Sequence, residues 1–426
     1  MRFETRHIRP IPPDERHGTA RGLFFVWLGI NMLPLTIVTG AVGTSVLGLP
    51  FSWAVTAIVI GNLVGGLGAA LHAAQGPRMG VPQMLQARAQ FGYQGGSLLA
   101  LIALVMFLGF FASNLVVAAQ SFAEVIPGVS VNAGIAVGTA LALILALANP
   151  SAFTGDGELA VTPAGFCAMV AIGAVWQLAY APYVSDYSRY LPEKTGARPA
   201  FWATYSGLVL GTVLVMVLGA LVGLSTNDGN AMGALEGLLG GFGPVTLAAF
   251  GLASAVMNSS NIYSGVMCSL TVLETAVRKA RITTGMRIGM TVVYALLAMA
   301  MALFGQHDFL VVFKDFVAVL LYVLIPWSAI NLVDYFVLRK GNYAVEDLFA
   351  RDGGSYGRWN LAGLACYAVG LGIQVPFVIT TVFTGPLAGP LGGVDIAWIV
   401  GFAVSAGLYV TVRRAGAAHQ VREQLS

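Results

Sequence analysis

The sequence predicts an all-α polytopic membrane protein, and three observations carry that prediction. Hydrophobic residues fill 57% and charged residues 10% of the 426 positions, with a mean hydropathy of +0.79, whereas a soluble domain carries about 25% charged residues. Apolar runs of about 20 residues, the length at which a helix crosses a bilayer, recur along the whole chain. Its 53 glycines and 18 prolines suit membrane helices, which approach closely through small residues and tolerate breaks. The formal charge of +3 is dispersed over the connecting segments and forms no nucleic-acid face. Cys167, Cys268 and Cys366 stand singly in apolar runs, without the spacing of a disulfide framework or a zinc site.

In chain order, residues 1–22 are too rich in charge and proline for a cleavable signal and read as a cytoplasmic tail. A single transmembrane domain is expected over 23–412, and a second cytoplasmic tail over 413–426. Five spans are read in the first half: Leu23–Leu47, Phe51–Ala74, Ser97–Phe122, Val131–Ala148 and Thr162–Val184. Six follow: Trp202–Leu224, Gly243–Leu273, Met286–Gly305, Phe309–Leu332, Leu361–Phe383 and Ile396–Val412.

Lys and Arg accumulate on the cytoplasmic side of membrane proteins. Of the 22 here, all but Lys314 fall in the two tails and in alternate connections, which puts both termini in the cytoplasm. That requires an even number of spans, and eleven are read. The parity fails between Val131 and Val184, because the connector Asn149–Val161 holds Asp156 and Glu158 but no basic residue and is external by charge. Either a span is lacking here, or the Gly/Ala/Leu-rich segment Val131–Ala148 does not cross completely.

Four stretches have the chemistry of a buried site. In Gly29-Ile30-Asn31-Met32-Leu33-Pro34 the proline removes a backbone donor and Gly and Asn favour a turn, so the first span is either a broken helix or a kinked one with Asn31 bonded to a neighbour. Phe107, Phe110, Phe111 and Asn114 share helical spacing, which offers either an aromatic face with one amide or ordinary packing. Trp176–Leu191, WQLAYAPYVSDYSRYL, breaks at Ala181-Pro182 and turns polar; Trp176 and Gln177 ahead of the break suit a flat heterocycle, or else pack in the core. Within it, Asp186 and Arg189 read as a surface ion pair. Met257-Asn258-Ser259-Ser260-Asn261-Ile262-Tyr263 places four small polar side chains in mid-span; these oxygens and amides suit a hard cation and a polar ring, against the alternative of hydrogen bonding between helices. No phosphate loop, nucleophile elbow or HExxH pattern occurs, which argues against an ATP-driven pump or an intramembrane enzyme.

Chain-wide, four segments resemble the nucleobase-cation-symport-1 family, the purine-cytosine permeases. They are ERHGTARGLFFVWLGIN, YAPYVSDYSRYLP, NSSNIYSG and IPWSAINLVDYFVLRKGNY, beginning at Glu15, Tyr180, Asn258 and Ile325. The resemblance implies the leucine-transporter-type fold, in which two inverted five-helix repeats precede two C-terminal helices and the first and sixth helices are broken. It also implies a symporter, acting as a monomer by alternating access, that imports a purine, cytosine, allantoin, hydantoin or thiamine precursor with Na⁺ or H⁺. The family's ion ligands fall on the Gly29, Met32 and Val256 carbonyls and the Ser259 and Ser260 hydroxyls; the hydroxyls favour Na⁺. Its substrate contacts fall on Phe110, Asn114, Trp176, Gln177 and Asn261, with the ring stacked between Phe110 and Trp176.

Two departures qualify the resemblance. Phe107 stands where cytosine permeases carry a Gln, which argues against cytosine itself. The family has twelve spans, and the one without a counterpart is the fifth, which helps gate the inner side. That absence motivates an alternative function, a transport-incompetent ligand-binding or sensor protein derived from the carriers.

Overall fold

The computed structural model describes residues 9–122, 160–225, 231–277, 283–305 and 309–425, and among them it is helical with no strand. Segment Val131–Ala148 and the place of the fifth family helix lie outside the described residues.

The first described residues include a 3₁₀ turn at Pro13–Glu15 and lead to α1 (Ala20–Ile30), whose first turn is capped by Thr19: its Oγ1 accepts the Gly22 N–H at 3.0 Å. After a three-residue turn, α2 (Pro34–Ser45) starts with proline at its first position, where the missing N–H is harmless. The two segments bend by 58°. Helix α3 (Phe51–Ala73) leads through the short α4 (Gly76–Met79) to α5 (Gln83–Phe122).

The sequence reading began the third span at Ser97; instead, helix starts at Gln83 and is interrupted at Gly92, with φ +84° and ψ 170°. Backbone pairing with a distant loop fills the gap: Tyr93 N–H donates to Gly357 O at 3.0 Å and Asn360 N–H to Phe91 O at 2.9 Å. A Cβ at Gly92 would lie 2.8 Å from Arg358 O, so this position requires glycine.

The pattern then repeats. Helices α6 (Pro163–Leu178) and α7 (Val184–Ser188) form a second broken pair, and α8 (Ala197–Gly223) is a second long span. The short α9 (Ala231–Leu239) precedes α10 (Gly243–Ala276), which carries the polar run. Helix α3 packs on α8 and α5 on α10, so like-placed members of the two halves meet. Helices α11 (Thr284–Gly305) and α12 (Phe309–Leu332) follow, the latter running into a π-helical turn over Val333–Leu338. Helix α13 (Leu361–Gly372) extends only through a 3₁₀ turn to Phe377, shorter than the span read to Phe383, and α14 (Ala397–Leu425) ends the chain.

Close packing of the halves depends on glycine. Gly61 and Gly65, four apart on α3, face α6: a Cβ at Gly61 would lie 3.1 Å from Gly173 Cα, and one at Gly65 2.7 Å from Ala174 Cα. This is the small-residue contact by which membrane helices approach backbone to backbone. Gly65→Ala is expected to force the helices apart and lower stability by about 1–3 kcal/mol, read as a fall in the melting temperature of the detergent-solubilised protein; an unchanged midpoint would refute the tight contact.

Candidate functional site

The break in α1/α2 is a real unwinding. Gly29 O accepts the N–H groups of Asn31 and, at 3.1 Å, Met32, and Asn31 O accepts Leu33 N–H at 2.9 Å. In the other broken pair the helix stops at Leu178 and the chain turns through Ala179–Tyr183, around the Pro182 of the sequence reading. Tyr180 O accepts Tyr183 N–H at 3.1 Å and Val184 N–H at 2.9 Å, which leads the chain into α7.

Asn31 joins the two breaks. It is fully buried; its Nδ2 donates to Trp27 O at 2.8 Å, while its Oδ1 accepts Trp176 Nε1–H at 3.0 Å and Tyr180 O–H at 2.7 Å. The two readings left open for this residue thus hold together: the helix is broken, and Asn31 bonds a neighbour.

Between the breaks, α5 and α10 lies a small cavity, with room for little more than a water molecule while its side chains stay as they are. Phe110, Trp176, Tyr180 and Tyr183 form its aromatic walls, Leu33, Leu35, Ala179 and Met257 its aliphatic ones, and Asn114 and Asn261 contribute amides. Among the described residues no charged side chain lines it. Asn114 is buried and no protein donor reaches its Oδ1; Asn261 Nδ2 donates to Asn258 Oδ1 at 3.4 Å.

Of the five substrate residues expected, the structure brings four to this cavity: Phe110, Asn114, Trp176 and Asn261. Gln177 is directed elsewhere. One residue further along α6, it faces the scaffold, where its Nε2 donates to Asn62 Oδ1 at 2.7 Å and Thr212 Oγ1 at 3.0 Å. Nor do Phe110 and Trp176 stand as a parallel clamp: their rings meet edge to face, with centroids 6.1 Å apart at 85°, so no ring fits between them until Phe110 rotates. Phe107 and Phe111 leave the proposed stripe to pack against Tyr183 and Tyr294. Tyr180 and Tyr183 were missed as wall residues, although their spacing around Pro182 is visible in the YAPY motif.

Of the expected ion ligands, Gly29 lies in the last turn of α1, where its carbonyl accepts the N–H groups of Asn31 and Met32, and Met32 lies in the turn that follows. Val256, Ser259 and Ser260 belong to α10, but their side chains lie outside the described residues.

Beyond Tyr183 the chain enters α7, which is tied to its neighbours by side-chain hydrogen bonds. Asp186 Oδ1 caps α5 by accepting Gln83 N–H at 2.9 Å, Ser188 Oγ donates to Ala73 O at 2.7 Å, and Arg189 Nη2 donates to Tyr263 O–H at 3.2 Å. Asp186 and Arg189 are therefore buried, not the exposed surface pair expected. The sequence showed their charges but not the surface of α5 and α10 that covers them.

A buried polar seam joins α12 to the segment between α3 and α5 and to α5 itself. Gln75 Nε2 donates to Asn331 Oδ1 at 2.8 Å, Asn331 Nδ2 to Gln90 Oε1 at 3.4 Å and Gln90 Nε2 to Asp334 Oδ2 at 3.0 Å. Arg88, expected in a loop, is buried in α5 and contacts Glu274 of α10 at 3.4 Å.

Comparison with known proteins agrees with this architecture. A family model described as permease for cytosine/purines, uracil, thiamine, allantoin matches residues 10–155 and 135–401. YxlA of Bacillus subtilis (strain 168), named as a purine-cytosine permease, is 36% identical over 444 aligned positions, covering 97% of this chain and 96% of its own. Since the chain has 426 residues, that relative has at least 18 without a counterpart here. The purine-cytosine permease fcyB of Emericella nidulans is 25% identical, covering 97% of this chain and 89% of its own. Among solved structures, Mhp1, a nucleobase-cation-symport-1 family transporter closed around bromovinylhydantoin, superposes with TM-score 0.72 at 16% identity, covering 98% of this chain and 96% of its own. The inward-facing form of Mhp1 gives 0.70 at 17% identity, covering 96% and 93%. The fold is that of Mhp1, and the protein is a multi-pass membrane permease. It belongs to the nucleobase-cation-symport-1 family, the permeases for cytosine and purines, uracil, thiamine and allantoin.

Proposed function

We propose that this permease imports an uncharged nucleobase-like heterocycle in symport with Na⁺, as a monomer with both termini in the cytoplasm. The observation that carries the reading is the cavity between the two broken helices: aromatic walls, two amides and, among the described residues, no charged group to balance an ionic ligand. A flat neutral ring presents apolar faces to Phe110 and Trp176 and a polar edge to Asn114 and Asn261. A cationic ring such as thiamine would enter without a counter-charge, which disfavours it. The Na⁺ assignment rests on the unwound Gly29–Met32 turn together with the hydroxyls of Ser259 and Ser260, oxygen donors suited to a hard cation.

Uptake of radiolabelled uracil, hypoxanthine, cytosine and allantoin into proteoliposomes, with an inward Na⁺ gradient or with choline, tests this reading. Accumulation that needs Na⁺ supports it. Accumulation indifferent to Na⁺ and abolished by a protonophore would transfer the coupling to H⁺, and binding of a base without flux would make the chain a non-transporting binder. Ser260→Ala is expected to raise the Na⁺ concentration for half-maximal uptake by about tenfold, the loss of one ion contact worth roughly 1.4 kcal/mol; an unchanged Na⁺ dependence removes that hydroxyl from the ion site.

A further inference from the structure

We infer that Asn31 is the positioning residue that couples the ion site to the heterocycle site. The inference rests on the proposed Na⁺ assignment to the Gly29–Met32 turn. Asn31 belongs to that turn: its N–H bonds Gly29 O, and its own carbonyl accepts Leu33 N–H at 2.9 Å. Its side chain leaves the turn and ends on two walls of the heterocycle cavity, accepting Trp176 Nε1–H at 3.0 Å and Tyr180 O–H at 2.7 Å on the one oxygen Oδ1. The third bond, Nδ2 to Trp27 O at 2.8 Å, anchors the amide to the last turn of α1.

Two physical consequences follow. An amide oxygen has two lone pairs, and both are engaged, so Asn31 has no acceptor left for a ligand and acts on the site through Trp176 and Tyr180. An indole N–H is a single donor, so Trp176 offers the cavity its ring face while this bond holds. A cation that draws the Gly29 and Met32 carbonyls inward must shift the backbone on both sides of Asn31, and the amide carries that shift to both rings. In the reverse direction, a heterocycle that pushes on Trp176 moves the turn, as the reciprocity of linked binding requires.

The test measures coupling rather than activity alone. Full-length protein in nanodiscs is titrated with uracil, hypoxanthine, cytosine and allantoin in NaCl or in choline chloride, and with NaCl alone by thermal shift. In the wild type, Na⁺ is expected to tighten heterocycle binding about tenfold or more, within the roughly 5–150-fold usual for linked sites. In Asn31→Leu the ratio is expected to fall below about twofold while Na⁺ alone still raises the melting temperature. A folded Asn31→Leu protein with the wild-type ratio overturns the role of Asn31 and leaves the Na⁺ assignment standing. A wild type that binds the rings without regard to Na⁺, or responds to neither, overturns both. Should Asn31→Leu fail to fold, Tyr180→Phe removes one of the two bonds and keeps the ring; its ratio is expected to drop severalfold, and an unchanged ratio overturns the inference.

Discussion

Asp334→Ala is expected to lower the stability of the folded permease by about 3–5 kcal/mol, the penalty for removing one partner of a buried charge pair. The Asp334 side chain is 1% exposed, and its Oδ2 faces Arg339 Nε at 3.0 Å. That oxygen also accepts Gln90 Nε2–H at 3.0 Å and Tyr343 O–H at 2.5 Å, while Oδ1 accepts Tyr409 O–H at 3.0 Å. Alanine would leave a guanidinium, two phenols and an amide without their acceptor in one stroke. The effect should be distributed over the fold, because those partners lie on α5, on the loop after the π-helical turn and on α14. Differential scanning calorimetry in detergent is expected to show a large fall in midpoint for Asp334→Ala and a smaller one for Tyr409→Phe, which removes a single bond worth about 1 kcal/mol. Equal, small shifts would mean that the carboxylate is solvated and that α14 does not depend on it.

Asp334 also shows what could and could not be read from the sequence. Its place in the IPWSAINLVDYFVLRKGNY segment pointed to the family, but nothing in one-dimensional spacing joined it to Gln90, more than two hundred residues earlier. Helix positions were legible because each span must satisfy its backbone internally and present an apolar surface, a local requirement. The breaks were legible for the same reason: Pro34 and Pro182 remove donors at fixed places. Burial of charge was not legible. Arg88, Asp186 and Arg189 looked like residues at the membrane surface, and each is covered by an element distant in sequence.

Side-chain direction was readable only in part. Helical spacing grouped Phe107, Phe110, Phe111 and Asn114, yet one such face is wide enough for its members to diverge once Tyr183 and Tyr294 pack against two of them. Trp176 and Gln177 were taken together because they are adjacent. Adjacent residues on a helix point about 100° apart, so when Trp176 faces the cavity Gln177 must face Asn62 and Thr212. The angular period decides which of two adjacent side chains lines the cavity.

An amide that lines the cavity gives the largest functional effect. Asn114→Leu is expected to raise the apparent KM for the transported heterocycle by about 10- to 100-fold, the loss of one well-formed hydrogen bond to a ligand in a buried site, and to leave the protein as stable as the wild type or more so. The two halves of that expectation have one cause. Asn114 is 2% exposed and its Oδ1 finds no protein donor, although it lies in a cavity whose other walls are mostly apolar. A buried acceptor without a partner costs about 1–3 kcal/mol, and an apolar residue of the same shape removes that cost. A side chain kept for packing would behave in the opposite way, with leucine tolerated in transport or harmful to folding. Asn114→Asp separates the hydrogen bond from the shape: it keeps the acceptor oxygen but adds a charge to a cavity that has no cation, and should lose both transport and stability. Uptake and thermal midpoint measured on the same preparations decide the matter. Leucine at this position with wild-type KM would show that the unpartnered oxygen has no part in recognition, and the ring would then be held by Asn261 and the aromatic walls alone.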